Sequence, residues 1–384
     1  MNRNFYPTLF LSSLVMLLSA CQGSNSNTST EEKRTTTNTV NVSEKEFLVT
    51  VTRPNTTLHL VDLQTNKVIR QCDLPAGPGP GTLVMSPDNS IVYILTNRFS
   101  DIYGVNIDNC DVVFSTQQST GNIRVKSIAS IAISPDGKEI YTHQNRVKIM
   151  NDHYEMLPPQ IVAFNTSAGL NVEASRTFDA PRQVTIMDAL ESGELVIGGQ
   201  DIFLMDIHSG KYDVILPSLN DKQPGYSGKD VLSVWQMGKI NNEFYRMYSR
   251  AKFNGKDGDL ANAEYLLGHE TVNLKTGKAE AKDFGPVETV LFTSIRRPGQ
   301  LNRVYATLND LKEYDSTTQK LIRSVDLPHT YYCINFSHDG SKIYLSGALD
   351  SIAVYDPDTF EKLAHIKLTG DGSMSTSIIF KRQG

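Results

Sequence analysis

The chain has 384 residues, of which 39% are apolar, 21% charged and 8% aromatic, and its formal net charge is −5. This composition is that of a globular protein and excludes collagen-like and wholly disordered chains. Because Lys and Arg are not in excess, nothing in the composition favours nucleic acid as a partner. Four cysteines (Cys21, Cys72, Cys110 and Cys333) and one tryptophan, Trp235, are too few and too widely spaced for a disulfide-built fold or an all-thiolate metal site.

The first 20 residues have the pattern of a secretion signal. Arg3 supplies a positive charge, and the apolar run Leu9–Leu18 that follows is too short to span a bilayer. The run leads into L-S-A-C, ending at Cys21, which resembles a bacterial lipobox. We therefore predict a lipoprotein signal peptide over residues 1–20 and acylation of Cys21, with an ordinary secretory signal as the alternative. Gln22 favours the outer membrane of a Gram-negative host, so the predicted location is periplasmic and membrane-anchored.

Residues 21–45 are rich in Ser, Thr and Asn. Such a segment cannot bury enough apolar surface to offset the entropy of ordering it. We predict a flexible tether here, followed by one folded domain over residues 46–382.

The remaining sequence repeats a short β-branched run, a turn, a second run and then Asp or Asn at another turn. Tight turns are predicted at Pro-Asp-Gly and related sequences, such as Ile133–Tyr141 and Met85–Tyr93. The second turn carries one residue in each of seven copies, where we expect the side chain to bond to its own backbone: Asp62, Asn106, Asn165, Asp206, Asn273, Asp315 and Asp356.

Four of the six intervals between these residues are 41 to 44 residues long, a length that fits four short antiparallel strands. The spacing predicts an all-β, seven-bladed β-propeller. The longer intervals, from Asn106 to Asn165 and from Asp206 to Asn273, must contain insertions. We expect Glu46–Val51 to join the final blade beside Ser375–Phe380 and close the ring.

Motifs of catalysis and metal binding are absent from the sequence. It contains no H-E-x-x-H, P-loop, G-x-S-x-G or C-x-x-C motif, and its histidines lack metal-ligand spacing. The glycine alternation of Gly77–Gly81 is interpreted as a turn between blades. Asp257, Asp259 and Glu264 are interpreted as a solvated loop, since their spacing does not match a calcium-binding loop. No catalytic, cofactor-binding or metal-binding residue is therefore assigned.

The sequence also argues against two covalent cofactors on this chain. Attached c-type haem needs C-x-x-C-H, which is missing. A tryptophan-derived quinone needs a second modifiable residue near the tryptophan, and none is close to Trp235 in the sequence.

Several segments that are not repeat consensus resemble the β subunit of quinohemoprotein amine dehydrogenases. They are Phe178–Gln183, Asp230–Trp235, Leu327–Tyr332, Gly347–Asp356 and Gly372–Ser375. In that family the β subunit is a cofactor-free seven-bladed propeller of a periplasmic heterotrimer, which oxidises primary amines to aldehydes and ammonia. The lipobox departs from this family pattern and implies a membrane-tethered version.

The resemblance implies two partners, a dihaem cytochrome c subunit and a small subunit that carries cysteine tryptophylquinone. This chain would then belong to an enzyme without contributing catalytic residues. Residues 178–183 and 327–332 are the expected docking surface, and the candidate interface residues within them are Arg182, Gln183, His329, Tyr331 and Tyr332.

Two other functions stay open from the sequence. One is a surface lipoprotein propeller that binds a protein or glycan, and the other is a lactonase-type propeller enzyme. Cys72 and Cys110 lie near outer strands of adjacent blades, where a disulfide is compatible with an oxidising compartment. Cys333 lies among predicted inner-strand residues and is expected to be a buried thiol.

Overall fold

The computed structural model describes residues 44–231 and 239–383. Within these ranges the chain forms seven antiparallel sheets and two short 3₁₀ turns, Thr166–Ala168 and Leu260–Asn262. The predicted seven-bladed propeller of four-stranded blades is confirmed. The predicted signal peptide, Cys21, nearly all of the tether and Trp235 lie outside the described residues. No helix in the described ranges is both long and apolar enough to cross a bilayer.

The first four blades contain the following strands. Blade 1 consists of β1 (Glu44–Thr52), β2 (Thr57–Asp62) and β3 (Lys67–Asp73), with the last strand of the chain, β30 (Ser377–Gln383), paired to β1. Blade 2 consists of β4 (Leu83–Met85), β5 (Ile91–Thr96), β6 (Asp101–Asn106) and β7 (Val112–Gln117). Blade 3 consists of β9 (Ile131–Ile133), β10 (Glu139–Ile149), β12 (Gln160–Asn165) and β13 (Arg176–Asp179), with β8 (Ile123–Lys126) and β11 (Tyr154–Met156) added to β10. Blade 4 consists of β14 (Ile186–Ala189), β15 (Leu195–Gly198), β16 (Ile202–Met205) and β17 (Tyr212–Leu216).

The last three blades follow the same order. Blade 5 consists of β18 (Asp230–Val231), β19 (Glu243–Lys252), β20 (Glu264–Asn273) and β21 (Ala279–Pro286). Blade 6 consists of β22 (Leu291–Arg297), β23 (Gln300–Leu308), β24 (Asp310–Asp315) and β25 (Lys320–Asp326). Blade 7 consists of β26 (Cys333–Phe336), β27 (Ile343–Ser346), β28 (Ser351–Tyr355) and β29 (Lys362–Lys367). The innermost strands of neighbouring blades contact each other, for example β30 with β4 and β4 with β9. These strands therefore surround the axis.

Antiparallel pairing divides the loops between two faces of the propeller. The upper face consists of the loops that lead into each innermost strand and the loops that join the second and third strands. The lower face consists of the remaining turns, together with the start of β1 at Glu44 and the end of β30 at Gln383. Both ends of the described chain therefore lie on the lower face.

The turns of the repeat follow the predicted chemistry. At each of the seven Asp or Asn positions the side-chain oxygen accepts a bond from the backbone N–H two residues later, at distances of 2.8 to 3.1 Å. The Pro-Asp-Gly turn and the related His-Asp-Gly turn contain one feature that sequence reasoning missed. Ser134 donates to Asp136 at 2.7 Å, and that bond lowers the pKa of Asp136 to about 2. Ser337 donates to Asp339 in the same way at 2.6 Å.

The hydrophobic core lies between the blades. The buried apolar residues of the described chain form seven clusters, one at each blade junction. Alternation along the strands explains this arrangement, since successive side chains point to opposite faces of a sheet. In β1, for example, Val49 packs towards blade 2 and Leu48 towards blade 7. No blade can bury its apolar faces without both neighbours.

The ring closes by the expected pairing of the chain ends. β1 and β30 are antiparallel neighbours from Glu44 opposite Gln383 to Thr50 opposite Ser377. Pairing of the two chain ends is confirmed, but the expectation that the N-terminal strand joins the final blade is wrong, because the C-terminal strand β30 completes the first blade. The composite blade takes three strands from the N-terminal end and its innermost strand from the C-terminal end.

A disulfide joins the first two blades. Cys72 in β3 bonds to Cys110 in the turn between β6 and β7, with 5.4 Å between their Cα atoms. Sequence spacing alone left this bond open, because only the packing of blade 1 on blade 2 brings the two residues together. Cys333 is a free thiol within the core, as expected, and burial raises its pKa.

Removing this disulfide is expected to lower the free energy of unfolding. The bond closes a loop with a sequence separation of 38 residues, and loops of this size yield about 2 to 4 kcal/mol. Urea denaturation of Cys72→Ser/Cys110→Ser should show that loss. The wild type in dithiothreitol should match the double variant, which itself should not respond to the reductant. Equal midpoints for the oxidised and reduced wild type would contradict the expectation.

Candidate functional site

The candidate interface residues all belong to the upper face. Arg182 and Gln183 lie in the loop between β13 and β14, which leads into blade 4. His329, Tyr331 and Tyr332 lie in the loop between β25 and β26, which leads into blade 7. The structure therefore places both segments on one face, but on blades three positions apart around the axis.

The loop that carries Arg182 and Gln183 is fixed to blade 3. The ring of His143 is fully buried in β10, and its Nε2 lies 2.9 Å from the carbonyl oxygen of Pro181. Burial lowers the pKa of His143 to about 4, so the neutral ring donates this bond at physiological pH. Arg182 and Gln183, the next two residues, are exposed. A buried anchor next to exposed polar groups gives a pre-organised contact surface.

The loop that carries His329 is only partly available for contact. His329 is half-buried, with Nδ1 2.9 Å from the carbonyl oxygen of Thr330 and its ring 4.3 Å from that of Tyr331. Tyr332 is half-buried and stacks on Phe292 of blade 6, with ring centres 5.9 Å apart.

Tyr331 must be removed from the candidate interface. Its side chain is 0% exposed and packs in the core between blades 6 and 7. The alternation of the following strand turns this ring inward while its neighbours stay near the surface. Replacing Tyr331 would leave a cavity in the core, and would not report on docking.

Two residues that sequence reasoning missed lie beside this loop. Leu349 and Met374 are 52% and 42% exposed, and both have left-handed backbone angles, with φ of 51° and 68°. Their loops bond to each other, since the N–H of Met374 donates to Gly347 at 3.1 Å. Both residues lie within segments of the family resemblance, which was the available signal. Their exposure follows from the backbone conformation, which the sequence did not indicate.

Exposed apolar side chains are concentrated on the upper face. Of 17 large apolar residues exposed in the described ranges, 11 lie there. They are Ile128, Met150, Tyr154, Met156, Leu219, Leu260, Tyr265, Val287, Val290, Leu349 and Met374. The others lie on outer strands (Ile69, Val214, Ile322 and Leu363) or on the lower face (Leu170 and Leu301). The upper face therefore offers more exposed apolar side chains for contact with other molecules than the rest of the described surface.

The axis also opens on the lower face into a cavity of about 600 Å³. Its lining is mostly apolar and includes Val84, Ile133 and Phe380 from innermost strands. The ion pair between Lys239 and Asp188, at 2.6 Å, lies at the same opening and joins blades 4 and 5. This pair bridges neighbouring blades, so it has a structural role at the opening.

The glycine-rich loop and the acidic residues noted in the sequence both lie on the upper face. Gly77 and Gly81 lie in the loop from blade 1 to blade 2, as predicted, and a Cβ on Gly81 would lie 2.0 Å from the ring of Phe99. Asp257, Asp259 and Glu264 surround the upper loop of blade 5, where Glu264 pairs with Lys252 at 3.1 Å. In residues 44–231 and 239–383, no three or more His, Cys, Asp or Glu side chains are grouped to hold a metal ion.

Comparisons with known proteins show a likeness of fold. No protein-family model matches the sequence, and no curated protein matches it. Among solved structures, the chain is similar to one from Kuenenia stuttgartiensis hydrazine synthase, with a TM-score of 0.52 and 14% identity, covering 79% of this chain and 90% of that one. It is also similar to apo AztD from Citrobacter koseri, with a TM-score of 0.50 and 10% identity, covering 88% and 99% of the two chains. At such identities the likeness is one of fold alone, and by its fold this chain is a seven-bladed β-propeller.

Proposed function

We propose that this chain is the non-catalytic propeller subunit of a quinohemoprotein-type amine dehydrogenase complex. Its upper face would dock a small quinone-bearing subunit and a dihaem cytochrome c subunit. Cysteine tryptophylquinone and haem c would be carried by those partners, and the oxidation of primary amines to aldehyde and ammonia would take place there. This chain would provide binding surface and position.

One observation carries the proposal. The five segments that resemble the β subunit are spread over residues 178–375, and the described part of each lies on the upper face or starts there. Phe178–Gln183, Leu327–Tyr332 and Gly372–Ser375 enter innermost strands, and residues 230–231 begin β18. Gly347–Asp356 starts in an upper loop and continues down β28. Because a fold alone requires no likeness of such loops, a shared docking surface is the best explanation.

An acylated Cys21 would hold this subunit at the outer membrane through the segment that precedes Glu44. The structure describes the chain from Glu44, where β1 begins on the lower face of the propeller.

Purification from the native host tests the proposal. The full chain, tagged at its C-terminus and extracted in detergent, should bring down a haem-containing subunit with a c-type absorption spectrum. It should also bring down a small chain that stains for quinone redox cycling. Cys21→Ser should release the complex from membranes and keep both partners. Elution of this chain by itself, without haem absorbance, would contradict the proposal.

A surface lipoprotein that binds an unrelated protein is the second candidate function. The apolar exposure of the upper face favours a protein over a glycan, since glycans are bound by polar and aromatic groups. A stable partner without haem in the same purification would support this candidate over the first.

A further inference from the structure

Two blades project above the upper face. In blade 3, β10 pairs with β12 from Glu139 to Gln144, and beyond that point it pairs with β8 and β11. In blade 5, β19 continues past Ser249, which lies opposite the start of β18, to Lys252 and a connection formed by residues 253–263. The long intervals in the repeat predicted insertions in these two regions but not their structure.

The blades beside these projections have short connections on the same face. Residues 199–201 join the second and third strands of blade 4, and Asn309 alone joins those of blade 6. Blades 3, 4, 5 and 6 therefore present a projection, a recess, a projection and a recess in order around the axis. A surface of this form can fit against a second copy of itself if the blades of the copy run in the opposite order.

The projection of blade 3 is basic on an acidic protein. We use the name basic arm for β8, residues 145–149 of β10, and β11. Residues 119–128 and 144–157, which contain it, include four cations and two carboxylates: Arg124, Lys126, Arg146, Lys148, Asp152 and Glu155. The local net charge is therefore +2, on a chain with a net charge of −5.

The exposed side chains of the basic arm are both charged and apolar. Arg124 and Lys126 donate to backbone carbonyl oxygens, which are neutral groups, so both cations can still pair with carboxylates. Tyr154 and Met156, on the edge strand β11, are 71% and 61% exposed. A strand that packs on a core shows alternate burial, but all three residues of β11 are exposed. These side chains bury their apolar surface only where another molecule covers the arm.

The upper surface of blade 6 has the opposite charge. We use the name acidic rim for residues 287–290, 309–312 and 326, which contain three carboxylates and one cation: Glu288, Asp310, Asp326 and Lys312. Lys312 is buried, and its Nζ lies 3.3 Å from a carboxylate oxygen of Glu288 and 3.9 Å from one of Asp310. One cation is thus shared by two carboxylates, and the net charge of the rim is −2.

The acidic rim also has exposed apolar side chains, those of Val287 and Val290. The basic arm and the acidic rim therefore have the same combination of apolar and charged groups with the charge reversed. Opposite charges around apolar contacts are the pattern by which two protein surfaces recognise each other.

A single two-fold axis can place each basic arm on an acidic rim. When two propellers meet through their upper faces about an axis perpendicular to the propeller axis, the blades of the two copies run in opposite orders. An axis that places blade 3 over blade 6 also places blade 4 over blade 5, blade 2 over blade 7 and blade 1 over itself. Each projection then meets a recess, and the contact between arm and rim is made twice.

We propose that two copies of this chain associate through their upper faces, with the basic arm of each copy on the acidic rim of the other. Tyr154 and Met156 supply apolar contact area, and the charges fix the relative orientation of the copies. An anionic bilayer fits less well, because its phosphates would attract the arm and repel the rim on the same face.

This inference goes beyond the proposed function and does not depend on it. The second copy would cover the face that is proposed to dock the partner subunits. The dimer is therefore the expected state of the chain in the absence of those partners, which would have to displace one copy in order to bind.

Two charge-reversal variants of the full chain test the pairing of arm and rim. Arg124→Glu/Lys126→Glu makes the arm acidic. Glu288→Lys/Asp326→Lys makes the rim basic, while Lys312 keeps Asp310 nearby. Each variant by itself should lose self-association by about tenfold or more, because arm and rim then carry like charges. A mixture of the two variants should form a heterodimer, since the reversed arm meets the reversed rim and the unchanged arm meets the unchanged rim.

Analytical ultracentrifugation in detergent measures these states, and circular dichroism checks that each variant is folded. The wild type expressed without partners should sediment as a dimer, and added salt should weaken it. A monomeric wild type, or folded variants that stay monomeric when mixed, would overturn the proposal and leave the proposed function standing. Failure to recover partner subunits from the native host would overturn the proposed function and leave the dimer standing.

Site-specific crosslinking locates the contact. A photoreactive benzoyl-phenylalanine placed at Tyr154 should crosslink to a second copy at a peptide that contains residues 287–290. The same group at Leu363, which is 46% exposed on the outer strand β29, is the control and should not crosslink. Crosslinks from position 154 to any other surface of the second copy would overturn the proposal.

Apolar substitutions measure the other part of the interface. Tyr154→Ser/Met156→Ser should weaken the dimer about tenfold or more. The controls change exposed residues on outer strands and should alter dimer affinity less than about twofold. They are Ile69→Ser/Leu363→Ser for the apolar variant and Lys320→Glu/Lys362→Glu for the charge variant. Equal effects of arm and control variants would overturn the proposal. So would a monomeric wild type that binds phosphatidylglycerol vesicles through the arm.

Discussion

Truncation of the chain after Thr376 is expected to abolish cooperative folding of the propeller. The deletion removes β30, the innermost strand of blade 1, and with it the buried side chains of Ile379 and Phe380. Ser377 is lost as well, and it accepts two bonds at 3.0 Å from the amide of Asn335 in blade 7. The first and last blades would then face each other across an unpaired strand edge.

The expected loss of stability follows from the apolar side chains and contacts that β30 buries. Each large apolar side chain in a core contributes about 1.5 to 3 kcal/mol, and the whole domain is stable by about 5 to 15 kcal/mol. Losing two such side chains, the pairing with β1 and the contacts to blade 7 takes away most of that margin. Circular dichroism and urea denaturation should show a broad transition or none.

Truncation after Lys381 is the matched control for this experiment. It removes the exposed ion pair between Arg382 and Asp108 but keeps Ile379 and Phe380 in the core. Its unfolding midpoint should stay close to that of the full chain. Addition of a peptide spanning residues 375–384 should restore a cooperative transition to the longer truncation. A truncation after Thr376 that unfolds cooperatively at the wild-type midpoint would contradict the role given to β30.

Replacing Arg246 by Met is expected to destabilise the protein by about 3 to 5 kcal/mol. Arg246 in β19 and Glu270 in β20 are both 0% exposed, and they face each other in the strand register. Nε and Nη2 of Arg246 donate to Glu270 at 2.9 and 2.7 Å, and Nη1 donates to the carbonyl oxygen of Gly199 in blade 4 at 2.7 Å. The single variant leaves a carboxylate buried without its counter-charge.

A double variant separates the cost of an orphaned charge from the value of the ion pair. Arg246→Met/Glu270→Leu removes both charges, and it should recover most of the stability lost in the single variant. The reason is that desolvating two buried ions largely offsets their mutual attraction. Urea denaturation of the wild type and of the three variants, including Glu270→Leu, measures the coupling. A double variant destabilised by the sum of the two single losses would show no coupling between Arg246 and Glu270, and would contradict this expectation.

Much of the fold could be predicted because the repeat is marked by turns that form through contacts between residues close in sequence. Asp62 and its six counterparts close turns within a few residues of themselves, so the sequence by itself shows the repeat. The spacing between them indicated seven blades and placed insertions in the intervals from Asn106 to Asn165 and from Asp206 to Asn273. Closure by the chain ends followed from the need of each blade for two neighbours.

Less of the candidate site could be predicted, because exposure depends on neighbours distant in sequence. Tyr331 and Tyr332 are adjacent, but one lies in the core and the other stacks on Phe292 near the surface. Leu349 and Met374 are exposed because their two loops bond to each other in left-handed conformations. Nothing in the local sequence distinguishes these outcomes.

The sequence by itself determined the fold class of this protein, a seven-bladed propeller. Only the tertiary structure decided which loops share a face, that Cys72 and Cys110 bond, and that blade 3 extends β10 into a basic arm. The physical reason is the separation along the sequence of the residues that make the contacts. Turns and strands depend on contacts within a few residues, whereas the position of a loop around the axis exists only once all seven blades have packed and closed the ring.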